Sequence, residues 1–295
     1  MTTWHLLIEP APLKGAFNMA VDEFLFMSAE ETKRTFLRFY QWERPTVSLG
    51  ATQNVAKVID LDFCRNHGLD VVRRITGGKL VLHHREITYS ICSSDEATFT
   101  PTLAGSYKLI SRALLRGLEK MGIRPSPAEQ APPFYAKSDL PCFSYPARDE
   151  IEVDGKKIVG SAQKRTGTRF LQHGSIPLAH DEGLLKAVSL RGADPAEIRM
   201  TSLSEVLGRP VDFAWAVERL AAGFEESFGI RCDPLAFGDG DLDRIRVLQR
   251  ARYEDEEWTL RGRARIPAAP ALILDPSGDN IGPMDHMRDE HERSR

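Results

Sequence analysis

The chain has 295 residues, 42% of them hydrophobic and 27% charged, with a formal net charge of -3. These proportions exclude a wholly disordered or fibrous chain, and the length suits one large domain or two modest ones. The slight acidity gives no reason to expect a nucleic-acid partner, no apolar run approaches the ~18–20 residues of a membrane helix, and Met1-Thr2-Thr3-Trp4-His5 lacks the pattern of a secretory signal, so a cytoplasmic enzyme is the expectation.

Residues 4–9 read as an opening strand, and Ala16–Met27 as a helix with Phe17, Ala20, Val21 and Phe24 at helical spacing. Phe36–Tyr40 alternates as a strand, and Thr46–Leu49 forms another before Gly50. Asp60–His67 predicts a short helix closed by Gly68. Three strands follow, Asp70–Arg74, Lys79–His84 and Ile87–Cys92. Tyr107, Ile110, Leu114, Leu118 and Met121 then mark an amphipathic helix ending at Gly122. Ala128–Pro141, rich in Pro and Ala, reads as an irregular loop leading to Cys142.

Glu150–Val153 and Lys156–Lys164 flank Asp154-Gly155, the chemistry of a two-residue hairpin turn, and Arg169–Leu178 completes a meander. Phe213, Val217, Leu220, Ala221, Phe224 and Phe228 predict a second long helix, and Asp243–Tyr253 a charged third. Runs of strands interrupted by helices predict an α+β fold with a mixed, largely antiparallel β-sheet flanked by helices. Residues 1–262 are expected to form the folded domain, and 263–295, Pro/Ala-rich and then charged, a mostly disordered tail.

The four cysteines, Cys64, Cys92, Cys142 and Cys232, lie far apart with no CxxC pair, which argues against a zinc ribbon, a redox motif or a disulfide framework. Three segments could carry chemistry. In Arg73-Arg74-Ile75-Thr76-Gly77-Gly78, paired glycines let backbone approach a ligand, and the arginines could meet a phosphate or carboxylate. The alternative is a tight hairpin with solvated arginines; the spacing is not that of a P-loop. In the second, an ammonium beside a thiol favours the reactive thiolate, and alternation turns one of Lys156 and Lys157 inward, so Lys157 could serve Cys142. A buried, inert cysteine is the alternative. In the third, Gln172-His173-Gly174-Ser175, the histidine is either a site residue or a core residue at a bulge. His83 and His84 face opposite ways on a strand without a carboxylate cluster, so no metal site is expected. Cys64, Cys92 and Cys232 sit among apolar neighbours, where packing explains them.

In series these segments resemble the biotin/lipoate protein ligase (BPL/LPL) catalytic-domain superfamily. The likeness runs from about Trp4 to Trp258 through Ala16–Glu23, Pro45–Gly50 with Gln53, Arg73–His83, Glu86–Ser90, Val153–Gln163 and Gln172–Ser175. Cys142-Phe143, fifteen residues before Lys157, is similar to the superfamily's cysteine-dependent octanoyltransferases. That resemblance implies a transferase moving octanoyl from acyl carrier protein to a lysine of glycine cleavage H protein or another lipoyl domain in lipoate biosynthesis, with neither ATP nor metal. It implies Cys142 as nucleophile, holding the acyl group as a thioester, and Lys157 as the group lowering its pKa. It carries substrate binding onto Arg73, Arg74, Thr76, Gly77, Gly78, His83, Gly160, Ser161, Ala162, His173 and Gly174. Backbone N–H groups near Gly77-Gly78 or Gly160-Ser161 are then candidates for an oxyanion hole, and Arg148, Lys164 and Arg165 for meeting an acidic carrier protein. Leu80 replaces a residue more often small in the family and is expected to shape the acyl pocket. The alternatives are an ATP-dependent lipoate–protein ligase, an octanoyl amidotransferase between lipoyl domains, and a non-catalytic binder of such domains.

Overall fold

The computed structural model describes residues 3–128, 150–190 and 199–262. Cys142, Arg148 and the expected tail lie outside those residues. In chain order the elements are β1 (Thr3–Ile8), α1 (Gly15–Thr32), β2 (Phe36–Tyr40), β3 (Thr46–Leu49), α2 (Val55–Val58), α3 (Leu61–Asn66), β4 (Asp70–Arg73), β5 (Val81–His83) and β6 (Glu86–Ser93). Then come α4 (Leu103–Glu119), β7 (Ser126–Pro127), β8 (Ile151–Val153), β9 (Lys156–Thr166), β10 (Arg169–Pro177), α5 (Glu182–Val188) and α6 (Leu203–Leu207). The described chain closes with α7 (Phe213–Phe228), β11 (Arg231–Pro234), α8 (Asp239–Leu248), a π-helical turn at Gln249–Tyr253, and α9 (Glu256–Arg261).

An eight-stranded sheet runs β11-β1-β2-β6-β10-β9-β8-β7. Its pairs β11–β1 and β1–β2 are parallel, and the remainder are antiparallel. The expected α+β class with a mixed, largely antiparallel sheet is therefore found. At the hairpin, Asp154 (φ 51°) and Gly155 (φ 73°) adopt the two positive angles that match the turn to the right-handed twist of β8 and β9. What local sequence does not reveal is that β3, β4 and β5 leave this sheet and form one of their own, in the order β4-β3-β5.

Side-chain parity in β2 explains the layering. Leu37 and Phe39 point into an apolar cluster with Leu114 and Leu118 of α4 and Leu220 and Phe224 of α7. Phe36 and Tyr40 point the other way, into a cluster with Phe24 and Leu25 of α1 and Ile245 of α8. Every residue of β2 is thus buried, including Arg38, whose parity sends it to the α1 side. A third cluster, with Val47, Leu80, Val58, Cys64 and Leu185, joins the small sheet to α2, α3 and α5.

Several elements differ from the sequence reading. Helix α1 extends to Thr32, α8 begins at Asp239, and α2, β7, α5, α6, β11 and α9 were not expected. β11 carries Asp and Pro and is mostly exposed, so no alternating apolar pattern marks it; pairing with β1 makes it a strand.

Candidate active site

The seam between the two sheets holds a pocket lined from both of them. One wall comes from the small sheet and its diglycine loop: Ser48, Arg74, Gly78, Val81 and His83. The facing wall comes from the large sheet, with Gly160, Ser161 and Ala162 of β9 beside His173, Gly174 and Ser175 of β10. Register sets that second wall, pairing Gly174 with Ser161 and His173 with Ala162. Tyr40, Trp42, Thr88 and Met19 close the remaining sides. Of the expected substrate-binding residues, Arg74, Gly78, His83, Gly160, Ser161, Ala162, His173 and Gly174 are brought together here.

Below the pocket lies a fully buried charged network. Arg38, with no exposed surface, donates from Nε to Glu9, from Nη1 to Asp22 Oδ1 (3.0 Å), and from Nη2 to Asn18 Oδ1 (2.8 Å). Asp22 also accepts from the Tyr40 and Ser90 hydroxyls and meets Nδ1 of His173 at 2.9 Å. Burial by itself would raise the Asp22 carboxyl. The His173 hydrogen bond and the Arg38 charge outweigh it and hold the carboxyl below its ordinary value. Burial, working against Asp22, keeps the His173 imidazole below its ordinary value. A carboxylate only accepts, so Nδ1 of the neutral ring carries the proton and Nε2 accepts the Thr76 hydroxyl at 2.7 Å. Thr76 is thus held by β10 just before Gly77-Gly78, without lining the pocket.

A second carboxylate–imidazole–hydroxyl chain faces the first. His83 Nδ1 lies 2.7 Å from Glu86 Oε1, and its Nε2 lies 2.7 Å from Ser48 Oγ. Trp42 stacks on the His83 ring at 4.0 Å between centroids, and its indole N–H donates to Thr88. Glu86 accepts further hydrogen bonds from the Thr88 and Ser175 hydroxyls.

The two arginines do different work, which corrects the expectation for Arg73. Successive strand residues face opposite sides, and Arg73 turns away from the pocket. Its Nε donates to the carbonyls of Trp258 and Thr259, Nη2 to Leu260, and Nη1 to Gly50, Ala51 and Gln53. The Trp258 indole returns a bond to the Arg73 carbonyl at 2.8 Å. Arg73 therefore caps the carbonyl end of α9 and does not line the pocket. Arg74 stays on the pocket wall, donating to Ser48 O and Oγ and to the carbonyls of Gly77 and Lys79, which fixes the loop's curvature. Gly77 is off the lining for the same reason, its carbonyl being turned onto Arg74. The loop also needs glycine at position 50, where a Cβ would lie 2.1 Å from the Gly78 carbonyl oxygen.

Lys156 and Lys157 divide as alternation requires. Lys156 is exposed against Glu205, whereas Lys157 is fully buried, with Nζ 2.6 Å from Glu150. Lys157 lies on β9 three residues before Gly160, and Glu150 is where the described chain resumes, eight residues after Cys142. Lys157 itself does not line the pocket. Burial pushes the Cys64 thiol up to about 11 and the Cys232 thiol up to about 12, and raises Cys92 as well.

Three further expectations are corrected. Leu80 belongs to the cluster under the small sheet and to a separate neighbouring cavity, not to this pocket. Arg165 is tied to the carbonyls of Thr168 and Thr100 and to Ser106, packed over Phe170. Gly160 and Ser161 belong to a regular β9–β10 ladder.

Sequence reasoning missed Asp22, Arg38, Ser48, Trp42 and Glu86 as site residues. The available signal was polarity in the wrong place: Asn18 and Asp22 at i and i+4 on a helix whose buried residues are mostly apolar, and Arg38 within a buried strand.

Residues 14–225 match the family described as the lipoyl protein ligase A/B catalytic domain. The octanoyltransferase LipM of Kyrpidia tusciae is 38% identical over 277 residues, covering 88% of this chain and 100% of the relative. That of Brevibacillus brevis is 34% identical over 276 residues, with the same coverage. Among solved structures, the bipartite lipoate protein ligase of Thermoplasma acidophilum, described with its E2 lipoyl domain, superposes with a TM-score of 0.76 at 21% identity over 91% of this chain and 100% of that one. The fold, the two-walled pocket and these identities agree, and this chain belongs to the lipoyl protein ligase A/B catalytic-domain family, alongside the octanoyltransferase LipM proteins.

Proposed function

We propose that this protein transfers an octanoyl group from octanoyl–acyl carrier protein to a lysine of glycine cleavage H protein or another lipoyl domain. The observation that carries this reading is sequence likeness over the full length of relatives named octanoyltransferase. Cys142, fifteen residues before the inward-facing Lys157, supplies the nucleophile that such chemistry needs. The Cys142 thiolate attacks the donor thioester carbon and the carrier's phosphopantetheine thiol leaves. The acceptor amine then attacks acyl-Cys142, forming the amide and releasing the thiolate. Thioester exchange is close to isoenergetic and amide formation drives the transfer forward, so neither ATP nor metal takes part.

Lys157 stabilises the thiolate by its charge in a desolvated setting, and Glu150 holds the ammonium in place. The walls of Gly160–Ala162 and His173–Ser175 receive the acyl thioester. Amide groups of the diglycine loop, whose shape Arg74 fixes, are candidates to meet the developing oxyanion.

The test is intact mass after mixing the protein with octanoyl–acyl carrier protein in the absence of ATP. The expected result is one added octanoyl group, absent in Cys142→Ser and discharged by H protein. Acceptor modification that appears only with ATP and free octanoate would overturn the reading in favour of a ligase.

A further inference from the structure

The two imidazoles that flank the pocket look alike and differ in charge balance. Each has a buried carboxylate on Nδ1 and a hydroxyl on Nε2, at 2.7–2.9 Å throughout. Behind His173, Asp22 pairs with Arg38 at 3.0 Å, and Arg38 is shared with Glu9 at 2.8 Å. Burial holds the His173 imidazole below its ordinary value in spite of Asp22, and its Nε2 is occupied by Thr76, which does not line the pocket. Behind His83, Glu86 is 3% exposed, and its hydrogen-bond partners among the described residues are His83, Thr88 and Ser175. It makes no ion pair with Lys or Arg among those residues. A proton arriving on His83 there completes an ion pair with Glu86 instead of creating an isolated charge.

We propose that Ser48, His83 and Glu86 form a proton relay that receives the proton lost by the acceptor amine when it attacks the octanoyl thioester. This rests on the transferase reading above. Ser48 and His83 both line the pocket, so the hydroxyl is placed to meet a bound amine. In the step the amine nitrogen bonds to the acyl carbon and the carbon–sulfur bond breaks, the electron pair leaving on sulfur as thiolate. The nitrogen's proton passes to Ser48 Oγ as Ser48 passes its own to His83 Nε2. The imidazolium is then stabilised by Glu86, and its proton is later returned to the thiolate or to solvent. Arg74, which donates to Ser48 Oγ at 3.0 Å, stabilises the transient negative charge there.

The groups facing His83 are Glu86 from β6, Arg74 across Ser48, and His173 from β10, whose field it shares. Tyr40 from β2 feels the Glu86 charge, and Trp42 covers the ring face. His173 is by contrast a positioning residue, acting on the diglycine loop through Thr76.

The experiment separates the two half-reactions. Full-length enzyme is loaded with octanoyl from octanoyl–acyl carrier protein, and discharge to H protein is followed by rapid-quench mass spectrometry across pH. In the wild type the discharge rate should rise through one inflection to a plateau. His83→Gln should lower the ratio of discharge to acylation roughly 100-fold, the low end for general base catalysis, and abolish the inflection. Added imidazole should restore part of the rate in His83→Ala, which a purely structural role would not allow. Glu86→Gln, nearly isosteric, should move the inflection to lower pH, because a carboxamide cannot neutralise the imidazolium.

An inflection that persists in His83→Gln, or one that stays in place in Glu86→Gln, would overturn the relay. Failure of the wild type to acquire octanoyl at all is a different result: it overturns the transferase reading and the relay with it.

Discussion

Replacing Arg73 by Met tests whether this arginine serves substrate or scaffold. The side chain is 1% exposed and reaches six carbonyl oxygens, and its bonds to Trp258, Thr259 and Gly50 are buried. A buried acceptor left without its partner costs about 1–3 kcal/mol. The Trp258 and Gly50 carbonyls keep the N–H groups of Gly262 and Gln53, so among the described residues Thr259 has the buried carbonyl left unmet, and the loss is about 2–3 kcal/mol. For a domain of this size that corresponds to a fall in melting temperature of about 6 °C. Differential scanning calorimetry measures the fall, and steady-state kinetics well below the transition measures the KM for octanoyl–acyl carrier protein, which should stay within about twofold of wild type. Arg73→Lys should recover part of the stability, since an ammonium can meet two or three of the same carbonyls. A variant with wild-type melting but a KM raised tenfold would refute the scaffold role and return Arg73 to the substrate.

Three other outcomes follow from the geometry. A Cβ at Gly174 would lie 2.6 Å from both Ser161 Oγ and the buried Tyr89 ring. Gly174→Ala should therefore cost about 1–3 kcal/mol of overpacking and cut octanoyl transfer at least tenfold; unchanged turnover would show that β9 and β10 can part freely. Iodoacetamide at pH 7 should spare Cys64, Cys92 and Cys232, whose thiols are all raised by burial, and peptide mapping should find the first label on Cys142. Stability should fall with acidification. The unfolded chain protonates His173 near pH 6.5 while the folded chain resists, and below about pH 4 the depressed Asp22 carboxyl adds its own loss in the same direction. His5 and His84, also lowered by burial, contribute to the upper part of that slope. Urea titrations at pH 7.5, 6.5 and 5.5 should show a flatter dependence in His173→Gln; an identical slope would dismiss the buried-neutral account of His173.

How much of this was legible in the sequence depended on range. The α4 and α7 faces, the Asp154-Gly155 turn and the β9–β10 meander are written in spacings of a few residues, and they are found where those spacings put them. The separate small sheet is a choice of pairing partner, which no local pattern encodes. The pocket was legible through ordered motifs, and β9 and β10 supplied the residues those motifs named. Arg73 was misread because adjacent strand residues face opposite ways, and which of Arg73 and Arg74 faces the pocket is decided by a helix 185 residues downstream. Asp22 and Glu86 stood inside quoted motifs without attracting notice. Asp22's meaning comes from His173, 151 residues away. Glu86 sits three residues from His83, but that it meets no lysine or arginine among the described residues emerges only once the core is closed.

The seam location has a consequence for how the protein responds to its own substrate. The two pocket walls stand on different sheets, the small one chiefly over its own apolar cluster with Val72 reaching a second, and the large one over two. Anything bound to both walls at once acts as a staple between them, adding RT ln(1 + [L]/Kd) to the free energy of separating them. Amide protons of β3 and β5 should then exchange with deuterium more slowly when an octanoyl group is present, whereas those of β11 and β1, at the far edge of the large sheet, keep their own pace. Occupancy of the site would thus be readable from the backbone of a sheet that touches only one side of the ligand.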